Sequence, residues 1–144
     1  MMRKFAFLVF VLFISACATA PKEPVSYATP PMSENEKAVA SAVEAMVNAY
    51  NSRDIEKSVS CFAPDAKIDS KLAGGFITRD EYREALQKSG RMTTIRLKDV
   101  KISEVSPEKY RADAILSLPR RSFPVYYDFV PVDGKWLVIE QRYK

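Results

Sequence analysis

The sequence contains no histidine, two cysteines and four glycines, and these scarcities exclude several kinds of site. Without histidine there is no serine–histidine triad, no HExxH zinc site and no haem ligand of the imidazole type, and the commonest general base is missing. The dispersed glycines form no phosphate-binding loop. Few cysteines and scattered acids also give no transition-metal site. We therefore expect neither metal nor cofactor, and any catalysis would need carboxylate, tyrosine or lysine chemistry.

The net charge of the chain is less basic than it first appears. The chain has 22 Lys and Arg residues against 18 Asp and Glu, a formal charge of +4. Residues 1 to 16 carry two of these cations and no acid, so the rest of the chain is close to neutral. Aromatic and basic residues do not alternate as in a stacking groove, and the adjacent Arg120 and Arg121 fall in a predicted turn. We expect no nucleic-acid partner.

The first residues have the pattern of a secretory signal peptide. Arg3 and Lys4 precede an apolar run over residues 5 to 14, which is about half of the ~20 residues that a membrane-spanning helix needs. Small residues follow the run. The sequence therefore predicts export, with residues 1 to 16 as the signal peptide.

The tetrapeptide Ile14-Ser15-Ala16-Cys17 resembles the bacterial lipobox. The resemblance implies that Cys17 is lipidated and becomes the mature N-terminus, and its acyl chains would bind the bilayer. In two-membrane bacteria an aspartate after the cysteine is associated with the inner membrane. Ala18 stands there instead, so we expect a lipid-anchored protein of the cell envelope, on the outer membrane facing the periplasm if the cell has two membranes. An ordinary signal peptide with an incidental Cys17, or an uncleaved anchor, are the alternatives.

Residues 17 to 32 are rich in proline, alanine and threonine and show no apolar period, which is typical of a flexible tether. Residues 33 to 144 are predicted to form one small domain. Cys61 is the only cysteine besides Cys17, and no basic residue adjoins it. We expect it to be buried beside Phe62 as a small apolar side chain.

Three helices are predicted at the start of the domain. Ser33 begins a capping-box motif, and apolar residues recur at helical spacing over residues 33 to 51. Asp54 is placed to cap a second, shorter helix. Thr78 is placed to cap a third helix, which Gly90 would end.

Strands dominate the rest of the chain. Residues after 91 alternate between apolar and polar, with a change of parity that predicts a β-bulge near Asp99. Asp133-Gly134 is a strong two-residue hairpin signal. Together with the helices, the pattern predicts an α+β fold with the N-terminal helices packed on a four-stranded or larger antiparallel sheet.

Several segments of the domain resemble the nuclear-transport-factor-2-like superfamily. They are AYNSRDIEKSVSCFAPDAKI, the Thr-Arg-Asp-Glu-Tyr helix start and the terminal DGKWLVIEQ strand. The resemblance covers most of residues 33 to 144 and rests on structural motifs, so it bears on fold more than on function. It implies a curved sheet that encloses a cone-shaped pocket with the helices. It also implies that homodimerisation through the outer sheet face is common.

Enzymes of this superfamily place aspartates, histidines or tyrosines in the cone, and ketosteroid isomerase uses aspartates and a tyrosine. Counting back from the Asp133-Gly134 turn places Tyr127 opposite Glu140 and Asp128 opposite Ile139. Each sheet face then carries one carboxylate in an apolar row. Which face lines the cone stays open, with a preference for the aromatic-rich row that contains Tyr127. Glu140, Asp128 and Tyr127 are thus the candidate catalytic residues.

Aromatic side chains are the candidate ligand-binding residues. Tyr50 and Tyr82 fall on the apolar faces of their helices, and Phe129 and Trp136 fall in the preferred sheet row. Asp69 alternates with Ile68 and is expected to face water.

Three functions follow from these observations. The favoured hypothesis is a non-catalytic envelope lipoprotein that binds a small apolar ligand or a protein partner. The second is a lyase, isomerase or hydrolase that uses Glu140 or Asp128 with Tyr127. The third is a structural subunit of an envelope assembly that dimerises or docks through the sheet.

Overall fold

The computed structural model describes residues 23–90 and 92–144. The elements of these residues are β1 (Val25–Tyr27), α1 (Glu34–Asn51), α2 (Ile55–Ser60), β2 (Phe62–Ser70), β3 (Gly75–Ile77), α3 (Arg79–Ser89), β4 (Arg96–Ser106), β5 (Lys109–Ser117), β6 (Ser122–Val132) and β7 (Lys135–Tyr143). The predicted signal peptide and the predicted lipidation site Cys17 lie outside the described residues.

Each helix begins at the cap that the sequence predicts. The Ser33 hydroxyl accepts a hydrogen bond from the Glu36 amide at 3.1 Å, and the Glu36 carboxylate accepts one from the Ser33 amide. Thr78 caps α3 through the same reciprocal arrangement, and the Asp54 carboxylate caps α2. Gly90 ends α3 with a left-handed φ of 61°, which glycine adopts without steric cost. All three helix predictions are confirmed.

The sheet was predicted to have four or more antiparallel strands, and it is mixed rather than antiparallel. Within the described residues it has seven strands in the order β1-β4-β5-β6-β7-β2-β3. The antiparallel meander of β4 to β7 is confirmed, but β1 pairs with β4 and β2 pairs with β7 in parallel. Alternation along a strand indicates its faces but not its partner, so these two pairings between distant segments had no signal in the sequence.

Part of the predicted tether belongs to the sheet. The Leu97 amide donates to the Pro24 carbonyl at 2.9 Å, and the Ala28 amide donates to the Val100 carbonyl at 2.9 Å. Val25 is buried, and the Tyr27 hydroxyl donates to the Glu44 carboxylate on α1 at 2.9 Å. The folded domain therefore includes residues 25–27, and its predicted boundary at residue 33 is corrected.

One face of the sheet packs on α1, and we call it the inner face. Val39, Val43 and Val47 of α1 have no exposed surface, and they share one core with Leu97 and Ala112 of the sheet. The predicted bulge in β4 is confirmed, since the β4–β5 register shifts between Lys98 and Lys101 and Asp99 has a φ of 53°.

A second, smaller core lies between α2 and α3. Val59, Leu86 and Met92 form it, with Tyr50 and Tyr82 packed at its edge. The same two tyrosines also pack against the main core. They therefore stand at the junction of the two cores, where the structure leaves a cavity.

Candidate functional site: a cavity between helices and sheet

A cavity of about 690 Å³ lies between the helices and the inner face of the sheet. Most of its lining is apolar, including the buried side chains Met46, Phe62, Ile68, Leu86, Ile95 and Leu116. Its outer end is formed by exposed residues of the β2–β3 and β5–β6 turns, among them Lys71, Leu72, Arg120 and Arg121. The cavity therefore has an apolar interior and an open, polar mouth.

A bulge in β7 decides which side chains reach this cavity. Val132 pairs with Lys135 and Phe129 with Val138, as the turn predicts. The pairing then skips Ile139, and Tyr127 lies opposite Gln141. An extra residue on one strand shifts the side chains beyond it to the other face. Gln141 therefore shares the inner face with Tyr127, and the predicted pairing of Tyr127 with Glu140 is wrong.

The two acids proposed as catalytic residues lie on the opposite, outer face. Asp128 pairs with Glu140, not with Ile139 as predicted. Its carboxylate, only 1% exposed, accepts hydrogen bonds from Arg111 Nε at 2.7 Å and from an Arg111 terminal nitrogen at 2.9 Å. Glu140 accepts from the Tyr126 hydroxyl at 2.6 Å. Neither acid lines the cavity, so neither can act there with Tyr127.

An ionic network covers this part of the outer face. The Arg111 guanidinium stacks on the Tyr126 ring at 3.9 Å, and the ammonium of Lys109 lies 3.5 Å from the Asp128 carboxylate. Hydrogen bonding to Asp128 raises the pKa of Arg111, so the guanidinium stays charged. Asp128 is thus held by two cations as a structural residue.

Tyr127 and Gln141 are buried polar residues of the cavity lining, as is Ser58, whose hydroxyl already donates to the Asp54 carbonyl. Tyr127 and Gln141 are 6% and 5% exposed. No hydrogen bond joins the Tyr127 hydroxyl or the Gln141 amide to another described residue, yet neither has a polar atom sealed from solvent. Both groups therefore open onto the cavity and are free to bond a guest molecule or water.

Three further tyrosines line the cavity around Tyr127. They are Tyr50, Tyr82 and Tyr143. Burial raises the pKa of Tyr127, and the negative charges that these three would carry when ionised raise it further. Burial also raises the pKa of Tyr50, Tyr82 and Tyr143. The phenols are therefore protonated at neutral pH and act as hydrogen-bond donors.

The four predicted ligand-binding aromatics divide into two pairs. Tyr50 and Tyr82 line the cavity, and the Tyr82 ring packs against Phe62 with centroids 5.2 Å apart. Phe129 and Trp136 pack in the main core away from it, where the rings of Trp136 and Tyr110 are nearly perpendicular with centroids 5.3 Å apart. The placement of Phe129 and Trp136 at the pocket is therefore corrected.

Asp69 is the one carboxylate among the described residues of the lining, although alternation predicted that it faces water. Its side chain is half-buried and accepts a hydrogen bond from the Tyr143 amide at 3.1 Å. Asp69 thus reaches the end of the neighbouring strand β7. The parallel, long-range pairing of β2 with β7 has no local signal in the sequence. Neither has the bulge at Ile139, which turns Gln141 and Tyr143 to the inner face.

Cys61 follows α2 and is half-buried rather than fully buried as predicted. Its Sγ lies 3.3 Å from the Lys57 carbonyl oxygen, and burial raises the pKa of the thiol, which keeps it protonated. Over residues 23–90 and 92–144, no group of three acid or cysteine side chains is placed to hold a metal ion. No helix in this part of the chain is long and apolar enough to cross a membrane.

No protein-family model matches the sequence, and no curated protein matches it. Solved structures do match the fold. A protein with a cystatin-like fold from Caulobacter vibrioides has a TM-score of 0.68 at 17% identity, covering 78% of this chain and 89% of that one. A nuclear-transport-factor-2-like protein of unknown function from Shewanella oneidensis has a TM-score of 0.66 at 13% identity, covering 76% and 98%.

A third match is a protein of unknown function with a cystatin-like fold from Nostoc punctiforme. It has a TM-score of 0.64 at 15% identity and covers 79% of this chain and 93% of its own. Identities this low bear on architecture alone. The helices, the open mixed sheet and these structural matches together identify the fold of this chain as nuclear-transport-factor-2-like, also called cystatin-like.

Proposed function

We propose that this protein is a non-catalytic binding module that holds a small, largely apolar molecule in the cavity between its helices and sheet. The observation that carries the proposal is the pairing of an open apolar cavity of about 690 Å³ with two free polar groups, on the buried lining residues Tyr127 and Gln141. Ligand sites of proteins typically measure about 300–1,000 Å³ and combine apolar walls with a few polar groups that orient the guest.

Tyr127 and Gln141 define what the guest must offer. The protonated Tyr127 phenol can donate, and the Gln141 amide can donate or accept. A guest with one hydroxyl, carbonyl or ester group would satisfy both. A guest without such a group would leave buried polar groups unpaired, at a cost of about 1–3 kcal/mol each. The pair therefore selects apolar molecules that carry a single neutral polar group.

A second candidate is carboxylate and tyrosine catalysis in the same cavity, as a lyase or an isomerase. Asp69 favours it, because its carboxylate lines the cavity together with Tyr50 and Tyr143. Asp69 is already engaged by the Tyr143 amide, however, and Asp128 and Glu140 point elsewhere. Binding without turnover is the better-supported function.

We also propose that the domain is displayed on a bacterial membrane through lipidated Cys17. The tetrapeptide Ile14-Ser15-Ala16-Cys17 and the apolar run before it support this. Since β1 begins at Val25, only residues 17–24 would connect anchor and fold, with a reach of at most about 3.3–3.6 Å per residue. The cavity would then operate close to the membrane surface. Labelling cells with an alkyne-bearing fatty acid tests the anchor, since label should enter the protein and be lost in Cys17→Ser.

Binding is tested with residues 17–144, which contain every described element of the fold. A long-chain alcohol such as 1-decanol should bind with one-to-one stoichiometry in calorimetry. Leu118→Trp, which adds an indole to the half-buried cavity wall, should abolish binding. Lys101→Trp adds the same group to an exposed site on β4 and is the matched control. Binding that Leu118→Trp leaves unchanged would refute the cavity as the site.

Turnover is tested separately from binding. The purified protein is incubated with ligands that prove to bind, and products are sought by mass spectrometry. Unchanged ligand supports the binding module. Conversion that Asp69→Asn abolishes while binding persists would establish the lyase or isomerase instead.

A further inference from the structure

We propose that the guest is an anionic amphiphile whose charged head is bound by Lys71, Arg120 and Arg121 at the mouth of the cavity. This inference rests on the proposed binding function and adds the chemical class of the ligand.

The three cations converge on the mouth from two separate turns. Lys71 follows β2, and Arg120 and Arg121 lie between β5 and β6. All three line the cavity and are exposed. Asp69 is the single acid among the described lining residues, and its carboxylate accepts a hydrogen bond from the Tyr143 amide. The mouth therefore carries an excess of positive charge, while the chain beyond residue 16 is close to neutral.

These cations are not neutralised by acids of the described chain. Other basic residues form ion pairs, such as Arg111 with Asp128 and Arg83 with Asp80. None of the ion pairs between described residues involves Lys71, Arg120 or Arg121. Their charges remain available to an anion that enters from solvent.

Aromatic rings position Lys71 without cancelling its charge. Its ammonium lies 4.0 Å from the centre of the Phe123 ring and 5.0 Å from that of Tyr143. The Arg121 guanidinium lies 6.0 Å from the same Phe123 ring. Such cation–π contacts are attractive and leave the outward N–H groups free to donate. Phe123 and Tyr143 pack edge to face at 5.7 Å, so the support is a fixed aromatic pair.

The interior requires that the charge of the ligand stay at the mouth. Phe62, Leu86 and Leu116 are apolar and buried, and an ionised group moved among them without a counterion would be strongly disfavoured. A molecule with an anionic head and an apolar body satisfies both ends of the cavity. The neutral polar group that Tyr127 and Gln141 select would then lie along or at the end of the apolar body.

The test compares two probes that share a hydroxyl for Tyr127 and Gln141 at one end and differ only in the head group at the other, 10-hydroxydecanoate and 1,10-decanediol. Calorimetry on residues 17–144 at low salt should give hydroxydecanoate the tighter binding by roughly tenfold, the sum of three exposed charge interactions. Lys71→Gln, Arg120→Gln and Arg121→Gln combined should remove this preference by weakening the binding of hydroxydecanoate. Lys98→Gln, Lys101→Gln and Lys135→Gln combined make the same change of charge away from the cavity and should retain it.

The outcomes separate this inference from the proposed function. Equal affinity for hydroxydecanoate and decanediol, both sensitive to Leu118→Trp, would refute the anionic head while leaving the binding module intact. Failure of both probes to bind would count against both proposals. A preference for hydroxydecanoate that survives the triple substitution at the mouth would refute the assignment of the head to these cations. Binding to phosphatidylglycerol vesicles without binding of monomeric hydroxydecanoate would make the cations a membrane-surface patch and overturn the proposal.

Discussion

Tyr127 lies opposite Gln141 across the β6–β7 pair, one residue out of the register that the hairpin turn dictates. The shift moves Glu140 to the outer face and gives the cavity a neutral phenol and amide in place of a carboxylate. Because of the bulge at Ile139, Tyr127 has an amide beside it that is suited to binding, and not a carboxylate that could act in acid–base chemistry.

Tyr127→Phe should weaken the binding of 1-decanol by about three- to tenfold, because the loss of one hydrogen bond to the ligand removes about 1 kcal/mol of binding free energy. The stability of the free protein should stay the same or rise slightly, since no described residue bonds this hydroxyl. Calorimetry and urea unfolding measure the two effects. A large loss of stability would mean that the hydroxyl has a structural partner and is not free for a ligand.

Arg111→Met should destabilise the fold by about 3 kcal/mol while leaving ligand binding unchanged. The substitution leaves the fully buried Asp128 carboxylate without its bidentate partner, and an uncompensated buried charge is costly. Lys109 at 3.5 Å moderates the loss. The measurement is the free energy of urea unfolding of Arg111→Met, with Lys101→Met as the control, since Lys101 is an exposed cation on β4. Equal stability of the two variants would contradict the structural role of the Arg111–Asp128 pair.

Stability should fall steeply as the pH rises above about 10, the pKa of tyrosine in an unfolded chain. Burial raises the pKa of Tyr82 and Tyr127 in the fold, so the unfolded state loses these protons first. Their contribution is complete below the unfolded pKa and is lost as the pH rises towards the folded pKa. Unfolding at neutral and alkaline pH should show a smaller loss in Tyr127→Phe. Tyrosinate absorbance that titrates fully at the ordinary pKa while the fold persists would contradict the burial of these phenols.

Val25→Ala should cost about 2 kcal/mol of stability, because it removes two buried methyl groups where β1 joins the sheet. The neighbouring Ser26 is exposed, and Ser26→Ala should have little effect. Thermal and urea unfolding distinguish the two. If Val25→Ala were as stable as Ser26→Ala, residues 25–27 would be part of the tether after all.

Local signals predicted the local structure of this chain. The capping residues Ser33, Asp54 and Thr78 predicted three helices, because a cap acts within one helical turn. Asp133-Gly134 predicted the turn of the last hairpin. Pairings between distant segments had no such signal. The parallel contact of β2 with β7 brings Asp69 to Tyr143, and Val25–Tyr27 joins β4 although its surroundings have the composition of a tether.

The candidate site was predictable only in part for the same reason. Tyr50 and Tyr82 were found because helical spacing places them on apolar faces. The bulge at Ile139 could not be predicted from the sequence, because Val138 and Ile139 are both apolar and either could occupy the inner face. Because this extra residue was not recognised, Glu140 was predicted to lie opposite Tyr127, where the structure has Gln141. The cavity therefore has a neutral amide at the position where a carboxylate was expected.

An NMR titration of methyl-labelled protein, residues 17–144, with 10-hydroxydecanoate tests the central claim most directly. The account predicts saturable shifts at the cavity methyls of Met46, Ile68, Ile95 and Leu116, with little change at Val130 on the outer face. The absence of shifts at saturating 10-hydroxydecanoate, or shifts centred on Val130, would contradict a ligand site between the helices and the sheet.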